Sequence, residues 1–486
     1  MKNLKYYTLH IFLTVILSFV LFQTTSLAQD KAANIEELMN KYYDYGQFNG
    51  SVLVAENGNV IFKKGFGYAN LEWDIPNAAD TKFRLASITK QFTSMLIMQL
   101  VEEGKINLEG KISDYLPYYR KDVGDKVTIH NLLTHTSGVT NLTNMPPDVV
   151  SKISKQHYEV KELIEKFCSE DLEFEPGSKY KYSNSGYNIL GAIIEEVTGK
   201  PYGEVLKEKI FEPVGMNSSG LDDYESIIEN RASGYDKGIL DYSNTEYLDM
   251  SMVYSAGALY STVEDLYKWD QALYTDKLLS EKNKEIMFTP FLQNYAYGWG
   301  VSKSEFGGKD RKILRHTGGI NGFNTVIIRM VDDNNLIVLL NNYSPCNLSN
   351  ISKGIADILY GEEYEQPKRS LADEFSRITM SEGVAEGVKQ LKELKEKKNE
   401  EYYIDENEIN NFGYYLLGKE RIDDAIEVFK LNVELFPDAF NTYDSLGEAY
   451  MIKGEKNLAI KNYEKSVELN PENTNGINIL KKLKEK

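Results

Sequence analysis

The sequence predicts an α+β domain followed by an all-α repeat domain. Three observations carry this reading. Strand-like runs occur near the start of the chain and again from Gly298, with a helix-rich block between them. A highly charged stretch follows Gly361, and the last part of the chain then repeats at a fixed interval. Strands on either side of a helical block pair by bringing distant chain segments into one sheet. The chain has 486 residues, 42% hydrophobic and 26% charged, an ordinary balance for a globular protein.

Lys2 and Lys5 precede an apolar stretch, Ile11 to Phe22, broken only by Thr14 and Ser18. Ser26-Leu27-Ala28 then supplies small residues at a cleavage position. The stretch is shorter than the ~20 residues of a membrane-spanning helix, so residues 1–28 are expected to be a cleaved secretory signal, with an uncleaved anchor as the alternative. Export to a periplasmic or secreted location follows, with no stable membrane span after cleavage.

Ala32 to Tyr45 reads as a helix. Gly50 to Asn70 reads as a hairpin about Asn57-Gly58, a strong turn signal. A helix is predicted from Ser87, with Ile88, Phe92, Met95, Leu96 and Leu100 on one face. Short helical patterns fill 105–290. Strand-like runs follow, two of them joined by the turn Val331 to Asn335, and Leu348 to Leu359 looks like a closing helix. Residues 361–400, with the run Lys389 to Glu401, read as a charged linker or a solvated helix. Gly413, Ala425, Phe429 and Pro437 recur 34 residues later as Gly447, Ala459, Tyr463 and Pro471. That period and those residue types resemble a tetratricopeptide repeat, with Asn475 to Lys486 as a capping helix. The expected boundaries are 1–28 signal, 29–360 first domain, 361–400 linker and 401–486 repeat domain.

The formal charge is −18, and loss of residues 1–28 would make it two units more negative. This excludes nucleic-acid binding, which needs a basic footprint. Cys168 and Cys346 are the two cysteines and lack metal-ligand spacing. The five histidines form no His-x-His or His-Glu-x-x-His pattern, so neither a metal nor a cofactor is expected.

Ser-x-x-Lys occurs twice, as Ser87…Lys90 and Ser178…Lys181. Only the first stands at the start of an amphipathic helix, where residues three apart share a face and the N-terminus favours developing negative charge. An amine pressed into an apolar site loses its proton and can act as a base. Tyr-Ser-Asn also occurs twice. Tyr182-Ser183-Asn184 runs into an apolar helical pattern, whereas Tyr242-Ser243-Asn244 lies in an acidic, loop-like stretch. A tyrosine beside a lysine can serve as a base, and an amide two residues on can bind a substrate carbonyl. His316-Thr317-Gly318 ends a strand-like run. Its histidine can give hydrogen bonds or charge to a substrate, and its glycines let a substrate backbone pair along the strand edge. The backbone N–H groups of Ser87 and Gly319 form a plausible oxyanion pair.

Ser87-x-x-Lys90, Tyr182-Ser183-Asn184 and His316-Thr317-Gly318, in that order, resemble the serine β-lactamase and penicillin-binding-protein superfamily. The pattern is most similar to the group of class C β-lactamases, D-alanyl-D-alanine carboxypeptidases and family VIII esterases. Leu132 to Asn141 and Ser255 to Trp269 match that group's pattern too, over about residues 35 to 360. The resemblance implies an antiparallel sheet flanked by helices plus an all-helical lobe. It also implies Ser87 as the acylated nucleophile, Lys90 as its partner, Tyr182 as general base and Asn184 as a substrate-amide ligand. His316, Thr317, Gly318 and Gly319 would bind substrate. His316 replaces the usual lysine of the third motif, a form that resembles esterases and peptidases more than efficient class C β-lactamases. The expected function is an exported serine hydrolase acting on D-amino-acid peptides, esters or related amides, with a protein partner for the repeats. The alternatives are a β-lactamase proper and a non-catalytic penicillin-binding or sensor protein.

Overall fold

A computed structural model describes residues 30–397 and 400–485. The expected signal segment lies outside the described residues. The chain divides into two compact units: the first takes the chain up to Asp236 and Asn244–Gln366, the second Lys237–Ser243 and the chain from Pro367.

The first unit opens with helix α1 (residues 30–44) and the hairpin of β1 (Gly50–Glu56) and β2 (Asn59–Phe66). Asn57 and Gly58 have φ of 50° and 75°, the left-handed pair that an Asn-Gly hairpin turn requires. Helix α2 (Thr89–Glu102) and helix α3 (Asn184–Thr198) belong to the helical block. The chain returns through β3 (Gly300–Phe306), β4 (Lys309–Ile320), β5 (Phe323–Met330) and β6 (Asn335–Asn341), then closes with helix α4 (Leu348–Tyr360). The sheet order is β3-β4-β5-β6-β1-β2. All neighbours are antiparallel, and Val52 of β1 lies opposite Leu339 of β6. Early and late segments thus share one sheet, as expected.

Both faces of the central strands are covered. Val52, Val54, Ile337 and Leu339 share a core with Ile35, Leu38, Ile351 and Ile355 of α1 and α4. Leu53, Leu336, Val338 and Leu340 join the larger core with α2 and α3. This double burial explains why β1 and β6 read as continuous apolar runs rather than alternating ones. Helix α2 departs from its predicted single apolar face: every residue from Thr89 to Leu100 is buried. A helix covered on all sides holds its polar groups away from water, and that is the setting of Lys90.

The second unit corrects the boundary at residues 361–400. In place of a linker, α5 (Leu371–Glu382) and α6 (Val384–Lys397) pack on each other and on the repeats, with Ala372, Phe375 and Leu391 buried. Val384, Val388 and Leu391 form a helical stripe that the surrounding lysines and glutamates hid from a compositional reading. Helices α7 (Glu406–Gly418), α8 (Ile422–Leu435), α9 (Phe440–Lys453) and α10 (Lys456–Leu469) form the two predicted repeats, and α11 (Thr474–Glu485) follows as the expected terminal helix. A Cβ on Gly413 would stand 2.4 Å from the Phe429 ring, so the repeat's glycine is a packing requirement. The pair α5 and α6 supplies the third helical hairpin that such arrays need.

Candidate active site

Ser87 lies in a single 3-10 turn, Ala86–Ile88, that runs directly into α2. The N-cap positions of the turn and of α2 are Leu85 and Ile88, neither with a capping side-chain bond. Ala86 has φ of 51°, a left-handed conformation that costs a residue with a side chain about 1–2 kcal/mol. The turn is clamped from two sides. The Leu85 N–H donates to Leu259 O at 2.8 Å, and Thr325 Oγ1 of β5 donates to Leu85 O at 2.9 Å. A Cβ on Gly318 would stand 2.1 Å from that same Leu85 oxygen. Gly318 is therefore needed for β4 to pass beneath the serine's turn, a different task from the substrate pairing expected of it.

Lys90 is one turn along, fully buried. Its Nζ lies 3.2 Å from Ser87 Oγ, 2.8 Å from Asn184 Oδ1 and 2.8 Å from Ala256 O. Burial holds its amine well below the usual lysine range. A neutral amine has two N–H groups and one lone pair. With the amine deprotonated, the two carbonyl-type oxygens, which can only accept, would take the two hydrogens and leave the lone pair facing the Ser87 hydroxyl; as an ammonium, Nζ donates to Ser87 Oγ as well.

Tyr182 and Asn184 come from the start of α3. Ser183 between them is its N-cap, accepting from the Gly186 N–H at 3.2 Å. Thus the middle residue of Tyr-Ser-Asn builds the helix, and the outer two face Lys90 and Ser87. The Tyr182 hydroxyl donates to Ser87 Oγ at 2.9 Å, and its ring centroid is 4.8 Å from Lys90 Nζ. Burial pushes the phenol above its ordinary value, against the pull of the Ser87 hydrogen bond, so it holds its proton at neutral pH. The Asn184 N–H donates to Asn141 Oδ1 at 3.1 Å, and Asn184 Nδ2 reaches Thr143 Oγ1 only at 3.4 Å. Asn141 ends the segment Leu132 to Asn141, which sequence reading had matched without giving Asn141 a role, and Thr143 lies two residues beyond it.

His316 faces inward. Nδ1 donates to Thr317 O at 2.6 Å, which leaves Nε2 to accept from the Tyr295 hydroxyl at 3.0 Å. Burial is the largest cause of a pKa pushed down to about 3. Of the hydrogen bonds or charge expected for a substrate, burial removes the charge at neutral pH, and both ring nitrogens are engaged within the protein. Thr317 and Gly319 alternate with it onto the exposed side of β4. β3 pairs with β4 only as far as Arg315, so 316–320 present an edge free of β3. Ile320 and Phe323 flank a two-residue hairpin loop and bond directly across it. Alternation then turns the Gly319 N–H away from β5, toward that free edge.

Ser87, Asn184 and Gly319 line one cleft of about 450 Å³, with Thr143 beside them and Leu142, Met145, Leu248, Val253 and Ile320 as its apolar wall. The two decoys lie elsewhere. Ser178 is exposed and donates to Glu175 O at 2.6 Å, and Lys181 pairs with Glu173 at 2.5 Å. Tyr242–Asn244 is an exposed strand.

Residues 32–360 match the sequence profile of the family described as Beta-lactamase. The chain belongs to the beta-lactamase family. Residues 440–473 match the Tetratricopeptide repeat profile, in agreement with α9 and α10. Among relatives of this beta-lactamase-family chain, Penicillin-binding protein 4* of Bacillus subtilis (strain 168) is 31% identical over 372 residues, 71% of this chain and 79% of its own length. A penicillin binding protein from Bacillus halodurans has 27% identity and a TM-score of 0.57, covering 67% of this chain and 97% of that one. The D-amino acid amidase from Ochrobactrum anthropi SV3, complexed with L-phenylalanine amide, has 25% identity and a TM-score of 0.58, covering 68% and 97%. Among the described residues, no helix is long and apolar enough to cross a membrane.

Proposed function

We propose that this protein is an exported serine hydrolase that forms an acyl-enzyme on Ser87 and acts on D-amino-acid peptides, esters or related amides. The observation that carries the reading is the contact set at Ser87, with Lys90 Nζ at 3.2 Å and the Tyr182 hydroxyl at 2.9 Å at the wall of an open cleft. Ser87 Oγ attacks the substrate carbonyl carbon, and its proton passes to the Lys90 lone pair. The Ser87 and Gly319 N–H groups receive the developing oxyanion. The bond to the leaving group then breaks, the leaving atom takes the Tyr182 proton, and the Lys90 ammonium returns a proton to the phenolate. Water attacks the ester and reverses these transfers.

This differs from the expected general base in one respect. Tyr182 was given that role, but burial lowers the Lys90 pKa and raises that of Tyr182, which favours Lys90 for the first proton and keeps Tyr182 as a donor to Ser87 Oγ. Asn184 Nδ2, weakly engaged by Thr143, would bind the substrate amide. The apolar wall suits an apolar acyl or leaving group, and the likeness to a D-amino acid amidase supports D-aminoacyl substrates. The repeat domain supports recruitment of a protein partner. The test is hydrolysis of a panel of D-aminoacyl amides, D-alanyl peptides, short-chain esters and β-lactams by wild type and Ser87→Ala. Ser87-dependent turnover of the first three groups, with only slow acylation by β-lactams, is expected. Rapid β-lactam turnover would replace the reading with a β-lactamase, and no turnover at all would replace it with a binding protein.

A further inference from the structure

We propose that His135, outside the catalytic contacts just described, is the positioning residue that holds Tyr182 over Ser87; this rests on the acyl-enzyme reading. His135 touches the tyrosine's segment in three ways. The N–H of Lys181, just before Tyr182, donates to the His135 carbonyl at 2.9 Å. The N–H of Ser183, just after it, donates to His135 Nδ1 at 3.2 Å. The imidazole lies against the Tyr182 ring at a centroid distance of 4.2 Å and an angle of 39°. One residue thus fixes the backbone on both sides of Tyr182 and the ring between. Tyr187 and Tyr295 close around the imidazole at 5.1 and 4.7 Å, and Tyr295 carries the same support to His316.

Space filling does not explain this residue. His135 is 1% exposed and has φ of 57°, a conformation uncommon for residues with a side chain. Because Nδ1 accepts, Nε2 must carry the ring proton, and Nε2 is buried with no hydrogen-bond partner. A phenylalanine would fill the same cage of rings without an unpartnered donor. What phenylalanine lacks is the Nδ1 acceptor for the Ser183 N–H. Burial holds the imidazole well below its ordinary value, which keeps Nδ1 free to accept.

The test compares the full-length wild type with His135→Phe and His135→Asn, using a fluorophosphonate probe and separating the limiting labelling rate at Ser87 from the half-saturating probe concentration. Asparagine Oδ1 stands where Nδ1 stood, and asparagine tolerates left-handed backbone. His135→Phe should slow the limiting rate about 10- to 100-fold, the scale of a catalytic group misplaced by an ångström, with half-saturation unchanged. His135→Asn should stay within about threefold of wild type, and His135→Phe should add nothing to Tyr182→Phe, because groups acting as one unit are not additive. Where His135→Phe fails to fold by circular dichroism, His135→Gln takes its place: its acceptor sits one methylene too far out, so slow labelling is expected again. Wild-type labelling rates in His135→Phe, equal slowing in His135→Asn, or losses that multiply with Tyr182→Phe would overturn the proposal. A wild type that is never labelled at Ser87 sinks the acyl-enzyme reading and this inference with it, whereas normal labelling in every His135 variant sinks this inference alone.

Discussion

At the residue scale, the chemistry turns on where protons sit. Lys90 is a lysine whose burial depresses its pKa, and Tyr182 is a tyrosine whose burial raises it. Both effects favour the uncharged form, which would give Ser87 an amine able to take its proton on one side and an intact phenol on the other. Lys90→Met should lower kcat by about 10²–10⁴-fold, the range for a positioned acid–base group. The same pKa leaves a mark on stability. Between Lys90's depressed folded value and the ordinary lysine value of 10.5, the unfolded state binds a proton that the folded state does not. Stability therefore rises with pH across that window and is lost as pH falls through it. Urea melts of wild type and Lys90→Met over that range should show the extra positive slope in wild type alone; equal slopes would mean that Lys90 stays charged when folded.

The element scale separates what the sequence made legible from what it did not. Strands that pair across the whole first unit were readable, because Asn57-Gly58 and the runs flanking Val331 to Asn335 are local signals. The decoy at Ser178 was readable too, since no helix orients Lys181. The inward turn of His316 was not legible, because spacing shows order along β4 but not which face a side chain takes, and that face makes it a partner of Tyr295. The role of Gly318 was hidden for a related reason: the obstructing oxygen belongs to Leu85, far away in sequence. Asn141 and Thr143 went unassigned, and His135 was read only as part of a structural turn, because their partners at 181–184 are distant in the chain. Helices α5 and α6 were concealed by charge density. In the repeats, by contrast, Gly413 and Phe429 were legible from their 34-residue echo. Phe429 is fully buried in the core of the second unit, so Phe429→Ala should cost that unit about 3–5 kcal/mol, measured by thermal melting of the full chain. An unchanged melting curve would contradict the packing described.

At the scale of the whole molecule, the candidate site and the repeats have separate cores. The large cores on the two faces of the sheet belong to the first unit, and the cleft is lined by residues of that unit. The helical pairs have a core of their own. Phe429→Ala should therefore leave labelling of Ser87 by a small probe at the wild-type rate at temperatures below its melting transition. The central claim is that Ser87, and not Ser178, is the nucleophile. Intact-mass and peptide mass spectrometry after fluorophosphonate treatment tests it most directly. The account predicts one adduct on Ser87, lost in Ser87→Ala and retained in Ser178→Ala. An adduct that survives Ser87→Ala, or a folded wild type that takes none, would contradict it.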